Sequence, residues 1–199
     1  YGFSGNTAEF ISEQFDPFSG EKQMLYYTDA RTRAFAVDGN FDDCQTFVKQ
    51  IFSAYDVKDV ILSSANSINI GRLVPQFIYY VYAYISAVNA GVIALGEQIN
   101  VVVPTGNFGD IFAVYLAKKI GVPLNKFVCA SNVNNVLTDF FKTGVYDKNR
   151  EFYKSNSPAM DILISSNLER LLYYATGSAN RVNELMRDLK TNGKYKLTD

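Results

Sequence analysis

Residues 101–123 read VVVPTGNFGDIFAVYLAKKIGVP. Three β-branched residues ending in a proline predict a short buried strand, extended backwards through Ile99 and Asn100. Gly106 and Gly109 then mark a polar corner. The amphipathic run 109–120 predicts a helix, which Gly121 and Pro123 stop. KFVCASN, residues 126–132, is apolar enough for a second strand. Strands joined by single helices imply βαβ crossovers, and hence an α/β fold with a parallel sheet and helices on both faces.

The same alternation is legible on the N-terminal side. Residues 33–37 predict a strand, and DGN at 38–40 a turn. Residues 41–55 predict a helix with Phe41, Cys44, Val48, Ile51 and Phe52 on one face, and Asp42 and Asp43 at its positive end. A strand and polar loop follow from Asp59. One long helix is expected over 70–89, with Pro75 near its first turns and Gly91 after its end. After residue 134 helical patterns dominate: 135–144, 157–177 starting at Ser157 and Pro158, and 178–195 starting at Ser178. The expected organisation is a poorly assigned segment 1–32, an α/β core 33–134 and a mainly helical continuation 135–199. Interrupted periodicity at both ends of the chain suggests a fragment.

Composition narrows the chemistry. The chain has 199 residues, 48% hydrophobic and 20% charged, with a net charge of −1. That balance describes a folded domain without the basic field that attracts nucleic acid. Histidine is absent, which removes Ser-His-Asp and Cys-His catalysis and any histidine-ligated zinc. Cys44 and Cys129 form no metal-spaced pair and read as buried free thiols in a reducing, cytoplasmic setting. No metal site and no membrane-spanning segment are expected. FIYYVYAYISA, residues 77–87, is read as a helix buried over much of its circumference, or alternatively as an aromatic subunit interface.

The corner 105–110 lies where a parallel sheet binds ligands, beyond a strand's carboxyl end and at a helix N-terminus. Backbone N–H groups there lack intrahelical partners, the helix dipole adds positive charge, and glycine lets an anion approach. The nucleotide pattern GxxxxGK[ST] is absent, because Asp110 and Ile111 follow Gly109, and GxGxxG is absent too. Asp110 would oppose a triphosphate. On spacing alone, a phosphate cradle and a ligand-free tight turn both remain open. SSANSINIGR, residues 63–72, gathers polar side chains before a helix, and Arg72 suits a carboxylate, a second phosphate or a helix-start salt bridge. DGNFDD at 38–43 reads as a turn and helix cap.

The segment 101–123 closely resembles the phosphate-loop segment of the threonine synthase family, fold type II enzymes that depend on pyridoxal 5′-phosphate. VDGNFDDCQTFVKQIF (37–52), LSSANSINIGRLVPQFIYY (62–80), FVCASNVNNVLTDFFKTGVYD (127–147) and SPAMDILISSNLERLLY (157–173) resemble further family segments in family order. The resemblance implies that Gly106, Asn107, Phe108 and Asp110 contact the cofactor phosphate, with Thr105 and Gly109 shaping the loop. It also implies a small phosphorylated amino-acid substrate, O-phosphohomoserine, with Asn66, Ser67 and Arg72 as candidate contacts. The implied reaction is elimination of phosphate and addition of water to give threonine.

The family's Schiff-base lysine lies in an upstream FKD-like stretch that is not found before residue 33. Lys22, Lys49, Lys118, Lys119 and Lys142 sit in other contexts. Ser4, Gly5, Asn6 and Thr7 only partly echo another family loop. No catalytic residue is therefore assigned, and the chain alone is expected to be inactive. The alternatives are another fold type II lyase or dehydratase, a non-catalytic threonine-synthase-like phosphate-binding protein, or a nucleotide-binding domain. Oligomeric state stays open.

Overall fold

The structure is a computed structural model that describes residues 41–54, 62–63, 67 and 69–197. The chain divides into two units, Tyr1–Arg72 and Leu73–Asp199. In the first, helix α1 (Phe41–Ala54) forms as its periodicity predicts. Cys44 and Gln45 are buried and Val48 and Ile51 half-buried, whereas Phe52 lies exposed at the margin of the expected face. A short helix α2 (Ile70–Leu73) begins where Asn69 Oδ1 accepts the Gly71 N–H at 2.9 Å. The expected strand at 33–37, most of the strand and loop from Asp59, and residues 1–32 lie outside the described residues.

The second unit starts at Leu73, the last residue of α2, and continues through a 3₁₀ turn (Val74–Gln76) into α3 (Phe77–Asn89). The single helix expected over 70–89 is therefore interrupted. Pro75 has no N–H to donate, and the chain tightens around it before the α-helix resumes. Gly91, at φ 69°, follows the end of α3. Much of α3 stays exposed, with Ile78, Tyr79 and Tyr82 all more than half accessible, so burial around most of its circumference is not found.

Next come β1 (Ile99–Pro104), α4 (Gly109–Lys119) and β2 (Leu124–Ala130), the expected βαβ unit. The two strands pair in parallel, with Val101 opposite Phe127, Val103 opposite Cys129 and Pro104 opposite Ala130. Val103 faces the core, while Val102 and Val128 on the other face are 64% and 46% exposed. α4 lies against both strands and against α3, burying Ile111, Phe112, Ala113, Val114 and Ala117. Cys129 is only half-buried, unlike Cys44, and both are free thiols.

Beyond β2 lie α5 (Val136–Thr143), β3 (Val145–Asp147), α6 (Leu168–Thr176), α7 (Ala179–Asn192) and β4 (Lys194–Lys196). Ser178 caps α7 as expected, its hydroxyl accepting the Arg181 N–H at 3.2 Å. β3 and β4 form an antiparallel pair that the helical reading overlooks. Three-residue strands are too short to carry a period. Their pairing buries Tyr146 and Tyr195 with stacked rings 5.3 Å apart. The expected helix 157–177 is also corrected. Only a 3₁₀ turn (Pro158–Met160) and α6 are helical, and the chain between them runs free of regular structure. Among the described residues, no helix is long and apolar enough to cross a membrane. The fold is α/β.

Candidate functional site

β1 delivers the chain to Thr105, which extends the pairing. Its N–H donates to Ala130 O at 2.8 Å and its hydroxyl to Val103 O at 2.7 Å. The backbone then reverses through Gly106, Asn107 and Phe108 into the first turn of α4. Phe108 sits at φ 64°, ψ 4°, the one non-glycine residue with positive φ among those described. A left-handed conformation costs an L-residue roughly 1–2 kcal/mol. The ring offsets this by burial: it is 4% exposed and stacks on Phe141 at a centroid distance of 6.0 Å.

A left-handed residue entering a helix start turns successive N–H groups toward one point, a concave anion site. Among the described residues, no hydrogen bond uses the N–H of Gly106, Asn107, Phe108, Gly109 or Asp110. The dipole of α4 reinforces them. Asn107 Oδ1 is buried and has no partner; a half-turn of the carboxamide presents its NH₂ instead. The site offers neutral donors and no cationic side chain between Thr105 and Asp110.

Asp110 is the one charge at the corner. Its Oδ1 accepts from the Tyr80 hydroxyl of α3 at 2.7 Å. Burial, followed by the contact with Asp110, holds the Tyr80 phenol protonated well above the ordinary tyrosine range. Tyr80 thus donates a hydrogen bond to the carboxylate and keeps its proton.

On its other side the loop rests on residues 157–167. A Cβ added to Gly106 would lie 2.9 Å from Ala159 O and 3.3 Å from Met160 Cα, so the close approach requires glycine. Ser165 Oγ donates to Gly106 O at 2.8 Å. Asn167 donates twice to Asn107 O, from its N–H at 3.0 Å and from Nδ2 at 2.9 Å. The strap is itself fastened. Ser165 N–H donates to the Tyr146 hydroxyl at 2.8 Å. Buried Asp161 accepts from Asn132 Nδ2, Asn134 Nδ2, Ser155 Oγ and Ser155 N–H at 2.6–2.9 Å. Side chains committed to these bonds explain why 161–167 is not helical.

Beside the Phe108 ring a cavity of about 480 Å³ opens between α4, β2 and α5, lined mainly by apolar groups such as Ile111, Phe127 and Phe141.

Of the sequence-predicted residues, Gly106, Asn107, Phe108 and Asp110 meet at one corner. Ser67 and Arg72 belong to the first unit, and each already makes an interaction of its own. Asn66 lies outside the described residues. Tyr80, Asp161, Ser165 and Asn167 were not anticipated. A signal did exist for the last two: Ser165, Ser166 and Asn167 directly before LERLL are helix-start residues, which place the start of α6 ten residues later than Pro158 does.

No family model matches the chain. It is 49% identical over 164 residues to human threonine synthase-like 1, covering 78% of this chain and 22% of that protein. It is 40% identical over 188 residues to threonine synthase of Saccharomyces cerevisiae, covering 89% of this chain and 36% of the yeast enzyme. The crystal structure of PLP-bound threonine synthase from Brucella melitensis superposes with a TM-score of 0.74 at 39% identity, over 90% of this chain and 38% of that one. The chain therefore spans between about a fifth and two fifths of the length of these relatives. Over most of its length the chain is thus a homologue of threonine synthase and threonine synthase-like proteins, and it shares the fold of the solved threonine synthase structure.

Proposed function

We propose that this chain is the cofactor-anchoring part of a threonine synthase, a pyridoxal 5′-phosphate-dependent lyase converting O-phospho-L-homoserine and water to L-threonine and phosphate. The observation that carries the reading is the set of unpartnered N–H groups around left-handed Phe108, at the start of α4, in a chain of this family. A phosphate monoester fits that donor set, since neutral N–H groups and a helix dipole hold an anion without a counter-cation.

Gly106 supplies close approach and Asn107 its backbone N–H and its unsatisfied carboxamide. Phe108 supplies the turn and Asp110 its N–H, with its carboxylate held by Tyr80. When bound, the cofactor supplies the electron sink for carbanion chemistry on the substrate. The loop's part is to fix the phosphate end and so orient the ring. Asn66, Ser67 and Arg72 are proposed as contacts for the substrate's charged groups, residues 33–134 as the cofactor-binding core, and 135–199 as its continuation. Two free thiols fit a cytoplasmic setting.

The test uses the full-length protein: cofactor content after purification, and phosphate released from O-phospho-L-homoserine. Bound pyridoxal 5′-phosphate with stoichiometric phosphate and threonine is expected. A protein that takes up no cofactor overturns the reading. Cofactor without turnover supports a second one, a threonine-synthase-like protein that keeps the phosphate site, which the 49% identity to human threonine synthase-like 1 favours.

A further inference from the structure

We infer that Ser165 and Asn167 are positioning residues for the anion cradle: by gripping the carbonyls of Gly106 and Asn107 from behind, they aim the N–H groups in front. The inference rests on the reading of residues 106–110 as a phosphate site. A trans peptide unit is planar, with its C=O and N–H pointing in opposite directions. Ser165 Oγ holds Gly106 O at 2.8 Å, so the N–H of the same peptide unit, that of Asn107, faces away from the strap. Asn167 holds Asn107 O with two donors, so the Phe108 N–H faces away as well. These are two of the N–H groups without a partner among the described residues.

The double grip has a second consequence. Rotating the 107–108 peptide plane changes ψ of Asn107 and φ of Phe108 together. That flip is the simplest route for Phe108 to leave its left-handed conformation, φ 64°. It would turn Asn107 O out of reach of both Asn167 donors and point it into the cradle, where a carbonyl oxygen repels an anion. Asn167 is 1% exposed and Ser165 6%, so water does not readily replace either donor. The strap reaches the loop with its own conformation set elsewhere, by the Asp161 bonds to Asn132, Asn134 and Ser155 and by Tyr146 on Ser165 N–H. Neither side chain needs to touch the ligand. Each acts through a carbonyl of the loop.

The test measures binding of pyridoxal 5′-phosphate and of pyridoxal to the cofactor-free, full-length protein. The ratio of the two dissociation constants isolates the phosphate's contribution. In Ser165→Ala, which removes the hydroxyl donor to Gly106 O, and in Asn167→Ala, which removes Nδ2 and leaves the backbone N–H in place, the preference for the phosphorylated form should fall about three- to tenfold. Ser165→Thr, which keeps the hydroxyl, should stay near wild type. A general packing defect would weaken both ligands alike and leave the ratio unchanged, and that result overturns the inference. If Asn167→Ala fails to fold, the Ser165 pair decides. A wild-type protein with no preference for pyridoxal 5′-phosphate over pyridoxal removes the phosphate site itself, and the inference with it. A wild-type preference retained in both alanine variants removes only the positioning role.

Discussion

Replacing Gly106 by alanine adds a single methyl group at the tightest contact of the loop. The new Cβ would stand 2.9 Å from Ala159 O and 3.3 Å from Met160 Cα, inside van der Waals contact for the first pair. Both obstructing atoms are main chain, so no rotamer change relieves them. Ala159 sits in the 3₁₀ turn, whose Met160 N–H donates to Ser157 O at 2.9 Å, and the residue after the turn, Asp161, is fastened to Ser155. The loop must therefore move instead, drawing Gly106 O away from Ser165. Overpacking of this kind costs about 1–3 kcal/mol. At roughly 4 °C per kcal/mol for a unit of this size, Tm falls by about 4–12 °C. The preference for pyridoxal 5′-phosphate over pyridoxal should fall with it in the full-length protein. Thermal unfolding and the ratio of binding constants read the two effects. Unchanged Tm and ratio would refute the geometry. So would rescue by Met160→Ala, because truncating a side chain cannot remove a clash with a carbonyl oxygen.

Two further outcomes follow from the surroundings of the loop. Tyr80 and Tyr195 both keep their protons above the ordinary tyrosine value, chiefly through burial, with Asp110 adding to Tyr80 and Tyr146 and Glu169 to Tyr195. The folded state then binds more protons than the unfolded one above about pH 10, so their contribution is complete below that pH and is lost as pH climbs through the folded values. Tyr80→Phe should flatten part of the alkaline fall in Tm without abolishing it, since Tyr195 remains; an unaltered slope would contradict the assignment. Asp161→Ala strips the shared acceptor from Asn132, Asn134 and the Ser155 N–H. Asn132 and Asn134 keep other partners, Ser157 Oγ and Tyr153 O, but no other acceptor is recorded for the Ser155 N–H. A loss of about 2–4 kcal/mol in urea unfolding is expected, and a loss under 1 kcal/mol would show that the strap is fastened mainly by other groups.

The βαβ unit was legible because its signals are local. Val101 to Val103 are apolar and β-branched, Gly121 and Pro123 stop α4, β1 and α4 match their forecasts within about one residue, and β2 starts and ends two residues earlier than forecast. Segments whose shape depends on distant partners were not legible. SPAMDILISSN carries a plausible helical pattern, yet Asp161 is held by Asn132 and Asn134, some thirty residues earlier in the chain. The strands around Tyr146 and Tyr195 exist only because they meet each other, across nearly fifty residues. Neither partner announces itself within a local window.

The candidate site divides along the same line. By itself, the sequence determined that a glycine-bearing corner joins a parallel strand to a helix, that the corner carries no lysine for a nucleotide, and that Gly106, Asn107, Phe108 and Asp110 stand at it. These properties follow from chain connectivity and residue type. Only the tertiary structure decided that Phe108 is left-handed, that Asp110 is engaged by Tyr80, and that Ser165 and Asn167 hold the back of the loop. The reason is physical: the direction of a backbone N–H depends on where its peptide's carbonyl is held. Here the groups that hold it lie about sixty residues away, brought into reach by packing.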